Sequence, residues 1–111
     1  MMTFLMLTRL APGSMRSPRE LEALERDVVT RIRAECPDAE WLQSFAVLGP
    51  YDYVDLFRVP SLDVATKIST LVRTYGHATT ELWPATPWAH FKDIVRGLEP
   101  PKSVEWDVRD A

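Results

Sequence analysis

Two histidines, one cysteine and a scatter of carboxylates are the groups in this 111-residue chain that could carry chemistry. His77 is the strongest single candidate. It follows Gly76 and opens a stretch of alternating character, and an imidazole titrates near neutrality, so it can serve as a base or a ligand. Glu81 and Trp83 share its period-two set, and Tyr53, Asp55 and Phe57 form a similar set on a neighbouring stretch. Together the six make a surface that is aromatic and ionisable at once, suited to binding a small molecule. The plain alternative for His77 is a hydrogen-bonded interface residue.

A metal centre is not expected. His77 and Glu81 lie four residues apart on a strand, which at ~3.3 Å per residue is ~13 Å, too far for one ion. A shared site would need Asp55, His90 or a residue from another subunit, and no Cys/His spacing resembles a zinc motif. Cys36 precedes Pro37 at a helix C-terminus, where the negative end of the dipole disfavours a thiolate, so it reads as a structural thiol. The four glycines form no phosphate-cradling loop, and no serine stands in a nucleophile elbow. No cofactor is expected. The four tryptophans read as core or interface packing more readily than as an aromatic pocket.

The elements that must position these residues are legible in order. Residues 2–10 read as a first strand, with Phe4, Leu5, Met6 and Leu7 apolar without alternation, as in a central strand. Ser17-Pro18-Arg19-Glu20 is a capping box with proline at the first helical position. Leu21, Leu24, Val28 and Ile32 then repeat at helical spacing, with Val29 at the edge, until Pro37 stops the helix. Residues 40–48 and 51–59 read as two strands joined at Gly49-Pro50. Ser61 caps a second helix with Ala65, Ile68, Leu71, Val72 and Tyr75 on its buried side, and Gly76 is placed for a left-handed C-terminal residue. Residues 77–85 read as a fourth strand in which Pro84 suits an edge. Thr86-Pro87 begins a short third helix with Trp88, Phe91, Ile94 and Val95 on its apolar side. Val104, Trp106 and Val108 alternate as a short added strand would.

The order is β-α-β-β-α-β with a C-terminal extension, a ferredoxin-like α+β sandwich: a four-stranded antiparallel sheet with helices on one face. Nothing divides it into domains, and 46% hydrophobic residues suffice for a core. On strand three, Val54 and Leu56 are assigned to the helices and Tyr53, Asp55 and Phe57 to the open face. On strand four, Ala78, Thr80 and Leu82 go to the helices. Strand two adds Trp41, Gln43, Phe45 and Val47 to the open face, or else their neighbours. A face this apolar needs cover, and a homodimer packed sheet against sheet, trapping a cavity, is the simplest arrangement.

The net charge of −3, without a basic block, argues against nucleic-acid or anionic-membrane partners. One cysteine precludes an intrachain disulfide and suits the cytoplasm. No apolar run approaches the ~20 residues of a transmembrane helix.

Gly49-Pro50-Tyr51-Asp52 between two strands, followed by an apolar strand, Pro60, a helix, Gly76 and the Thr79-Thr80 strand, resembles the signature and order of the GYD-domain family. The resemblance covers roughly residues 2–86, leaving 87–111 as an extension. It implies a small, usually bacterial domain of the dimeric α/β-barrel kind, and brings no catalytic residues with it. For Asp52, a register-fixing role in the turn is favoured. Three functions follow. The first is a homodimer binding an apolar or aromatic molecule between its sheets. The second is a cofactor-independent oxygenase or isomerase with His77 as base and Tyr53, Asp55 or Glu81 orienting substrate, an analogy at the level of fold. The third, ranked last, is an RNA-binding module stacking bases on Tyr53 and Phe57.

Overall fold

The computed structural model describes residues 1–13 and 17–98. Chain order is β1 (Met2–Leu10), α1 (Pro18–Glu35), β2 (Glu40–Ala46), β3 (Tyr53–Val59), α2 (Leu62–Tyr75), β4 (Ala78–Ala85) and α3 (Trp88–Arg96). The strands form one antiparallel sheet in the order β2-β3-β1-β4. This is the ferredoxin-like arrangement expected from the element order. The tail strand at Val104, Trp106 and Val108 lies outside the described residues.

Local chemistry sets the helix ends. The Ser17 hydroxyl accepts from the Glu20 amide at 3.2 Å, with Pro18 starting α1. Ser61 accepts from the Val64 amide at 3.3 Å to start α2. The end of α2 differs from expectation. Gly76 is right-handed (φ −92°), and the left-handed residue is His77 (φ 49°). Glycine is suited to position 76 for space: an added Cβ would meet the Val72 carbonyl oxygen at 2.5 Å and Val28 on α1 at 3.4 Å.

The Gly-Pro-Tyr-Asp hairpin is tied to β1. The Asp52 carboxylate accepts from the Leu10 amide at 2.7 Å, and the Asp52 amide donates to the Thr8 carbonyl at 2.8 Å. The Arg9 guanidinium donates to the Pro50 carbonyl and lies over the Tyr51 ring. Asp52 therefore fixes register, but against a strand 42 residues away in sequence. Because the hairpin takes up these residues, β2 and β3 are shorter than the sequence suggests.

The core gathers Phe4, Met6, Phe57 and Val59 from the sheet with Ile68 and Val72 from α2. Each such large apolar side chain contributes ~1.5–3 kcal/mol when fully buried. Register corrects the sidedness of β3. Phe4, Met6 and Thr8 pair with Phe57, Asp55 and Tyr53, so these three face the helices, and Val54, Leu56 and Arg58 face the open side. Phe57 is wholly buried, its ring stacked between Phe4 (5.9 Å) and Trp41 (4.9 Å). On β4 the expected sidedness holds: Leu82 pairs with Met6 within, while Glu81 and Trp83 pair with Leu7 and Leu5 on the open side. A bulge follows Trp41, with Leu42 the extra residue, so Trp41 and Ser44 both face inward while Gln43 and Phe45 face outward. Pro84 lies in the edge strand β4.

Candidate functional site

α2 packs closely on β1, β3 and β4, whereas α1 packs against α2 and stands farther from the sheet, joining the core through Ile32. The gap beneath α1 is a cleft of about 770 Å³. Leu21, Leu24, Val28 and Ile32 form its roof. Its floor is the inward face of the central strands: Met6 and Thr8 of β1, with Asp55 and Tyr53 of β3 opposite them. Trp41 and Ser44 of β2 close one side.

Polar groups converge on this floor. Ser44 donates its hydroxyl to Asp55 Oδ1 at 2.6 Å, and the Trp41 indole N–H reaches Ser44 Oγ at 2.8 Å and Asp55 Oδ1 at 3.3 Å. Burial pushes the Asp55 carboxyl above the usual aspartate range, opposed by the Ser44 and Trp41 hydrogen bonds. Burial, then the charges of Asp52 and Glu25, raise the Tyr53 phenol. Thr8 is 4% exposed, and its hydroxyl has no hydrogen-bond partner. An orphan of this kind costs about 1–3 kcal/mol.

The residues expected to form one surface are divided among four places. Tyr53 and Asp55 line the cleft, on the side opposite to that expected. Phe57 is core. Glu81 and Trp83 stand on the open face, where Trp83 is 47% exposed. His77 lies outside the cleft although its neighbours Gly76 and Ala78 line it; its backbone carbonyl accepts from the Ala11 amide at 2.9 Å. Thr8 and Ser44 were not singled out by type or spacing, because a lone hydroxyl carries no signal until its neighbours are known. Cys36 is a buried free thiol, held above its ordinary pKa mainly by that burial. Among the described residues, no three His, Cys, Asp or Glu side chains converge as metal ligands would, and no helix is long and apolar enough to cross a membrane.

The open face carries Leu5, Leu7, Val54 and Leu56 with Trp83. Beyond it, no other described element packs closely on α3, and none of its residues is buried. Its stripe of Trp88, Phe91, Ile94, Val95 and Leu98 is exposed, with the Trp88 and Phe91 rings stacked at 5.2 Å.

Solved structures with this fold include the Mycobacterium tuberculosis leucine response regulatory protein LrpA, at 17% identity and a TM-score of 0.55. That match covers 78% of this chain, which spans about half (51%) of LrpA. A protein of Thermus thermophilus matches at 24% identity and a TM-score of 0.52, covering 78% of this chain and 95% of its own. FFRP-DM1 matches at 23% identity and a TM-score of 0.50, covering 78% of this chain and 100% of its own. At these identities the likeness is one of fold. No curated protein matches the sequence. The GYD domain model matches residues 4–95, a span that takes in every element from β1 to most of α3, and the chain belongs to the GYD domain family.

Proposed function

We propose that this chain is a small-molecule-binding protein that holds an apolar or aromatic ligand in the cleft between α1 and the sheet, and that a second copy covers its open sheet face. The observation that carries the reading is the floor of the cleft. A pocket walled by aliphatic side chains, with a few convergent polar groups, is the usual form of a ligand site. Here the polar groups are the carboxylate of Asp55 and the Ser44 and Trp41 side chains that hold it. This moves the ligand from the space between two sheets to the helix side of one. It also leaves His77 without a role in the site.

The second copy is argued from the apolar character of the open face. Leu5, Leu7, Val54 and Leu56 share one face with Trp83; Leu7 is buried, the other three aliphatics are half-buried and Trp83 is exposed. A contiguous apolar face of that kind is the usual mark of an interface.

The ligand reading is tested by titrating indole, a neutral aromatic, and following amide and indole N–H shifts by NMR. Saturable shifts at the Trp41 indole, Tyr53 and Asp55 support it. Shifts confined to Leu5, Leu7 and Leu56 would return the ligand to the open face, and no saturable shift would remove it. Light scattering at micromolar concentration tests the second copy: a dimer mass is expected, and a monomer mass contradicts it.

A further inference from the structure

We propose that Asp55 is a general base for proton abstraction from carbon, with the Tyr53 hydroxyl as its acid partner, acting on an apolar or aromatic ketone held in the cleft. This rests on the reading of the cleft as a ligand site and deepens it from binding to reaction class.

Three observations carry the inference. The first is that Asp55 is fixed through one oxygen only. The Ser44 hydroxyl and the Trp41 indole both donate to Oδ1, and Trp41 is itself stacked on the buried Phe57 ring. Oδ2 takes no hydrogen bond from a described residue and is not sealed from solvent. One oxygen thus sets the orientation and the other is left for a substrate.

The second is Tyr53, two residues along β3 and on the same side of the sheet, which also lines the cleft. Same-face neighbours on a strand stand ~7 Å apart. A base ~3 Å from an α-carbon and a donor ~3 Å from the adjoining carbonyl oxygen need about that separation. The Tyr53 hydroxyl bonds to no described residue, and burial with the charges of Asp52 and Glu25 keeps it protonated, hence a donor, at neutral pH.

The third is the wall. Leu21, Leu24, Val28 and Ile32 place aliphatic surface over the pair. That surface takes an apolar substrate and leaves the carboxylate poorly solvated, the condition in which it is most basic. The other ionisable groups of the cleft are Glu22, Glu25 and Arg33 on α1 with Cys36 at its end, and none of them bonds to Asp55.

The step balances without a cofactor. Oδ2 takes the α-proton, the C–H pair becomes a carbon–carbon double bond, and the carbonyl pair moves onto oxygen, which receives the Tyr53 proton. Return of the enol proton to Tyr53 and of the Asp55 proton to the same or a conjugated carbon completes an isomerisation.

The probe is β-tetralone, an aromatic ketone with acidic α-hydrogens, and loss of its α-proton signal in heavy water measures exchange. The full chain is expected to speed exchange at least about a hundredfold over acetate at equal concentration. Asp55→Asn should remove the acceleration, while saturable shifts at the Trp41 indole show that the ketone still binds. Tyr53→Phe should slow exchange at least about tenfold. Nitrobenzisoxazole separates the two roles. A base takes its ring C–H proton, the N–O bond breaks, and the leaving oxygen is a stable phenolate that needs no donor. Its opening should vanish in Asp55→Asn and be little changed in Tyr53→Phe. Both rates should rise with pH through one ionisation that Asp55→Asn lacks.

Saturable binding of the ketone with exchange no faster than acetate gives overturns the inference and leaves the ligand site standing. Acceleration that survives Asp55→Asn overturns it by placing the base elsewhere. If the ketone does not bind, the ligand site and the inference fall together.

Discussion

The two crossover helices carry similar apolar stripes and differ in what lies beneath them. α2 buries Ala65, Ile68 and Val72 against the sheet, and the Ser69 and Thr80 hydroxyls bond at 2.6 Å between α2 and β4. α1 is longer, yet buries only Ile32. The difference follows the strands. Below α2 the inward side chains include Thr80 and Leu82, with the Thr80 hydroxyl satisfied by Ser69. Below α1 they include Trp41, Ser44, Tyr53 and Asp55, which bring polar atoms that a sealed aliphatic contact would strand. A shared amphipathic pattern therefore gives one helix that seals a core and another that roofs a cleft.

The largest expected effect lies on the sealed side. Ile68→Ala should cost about 2–5 kcal/mol, because the site is fully buried and a cavity remains. Leu24→Ala in the roof should cost well under half of that. Urea melts of both variants check the contrast, and equal losses would mean that the two helices are seated alike.

Next comes the hairpin that sets the register of both sides. Asp52→Ala should cost about 1–3 kcal/mol by stranding the Leu10 amide, and unchanged thermal melting would contradict this.

The third prediction concerns pH. Burial raises the Asp55 carboxyl in the folded chain, so folding favours its protonated form, and that contribution is present below the unfolded pKa and lost as pH rises through the folded one. Asp55→Asn should therefore gain stability over the parent as pH rises from about 4 towards neutrality. Melts at both ends of that window check the sign; a gain confined to acid would contradict it.

The smallest effect is expected at His77. Its left-handed backbone is costly for a residue with a side chain, so His77→Gly should leave stability unchanged or raise it by up to about 1 kcal/mol. Aggregation of this variant would show that the imidazole itself is structural.

Most of the fold was legible because its signals are local. Ser17-Pro18 and Ser61 start their helices where capping chemistry places them, and Pro84 stands on an edge strand. The sidedness of β4 was legible too, because Glu81 marks its outer face. On β3 both sets are mixed, and apolar Val54 and Leu56 suggested an inner face that register assigns to Tyr53, Asp55 and Phe57. Arg58, which shares parity with Val54 and Leu56, carried the contrary signal. The site was less legible than the fold. Tyr53 and Asp55 stood out as candidates, but Thr8 and Ser44 reach them only through pairings between strands distant in sequence. Period-two reading also separates Trp41 from Ser44, which the bulge reunites.

That bulge, at Leu42, has a counterpart across the sheet in Pro84. Each interrupts the row of amides and carbonyls that a boundary strand offers to a foreign one. Growth by adding strand after strand, the route to fibres, is thus obstructed at both margins.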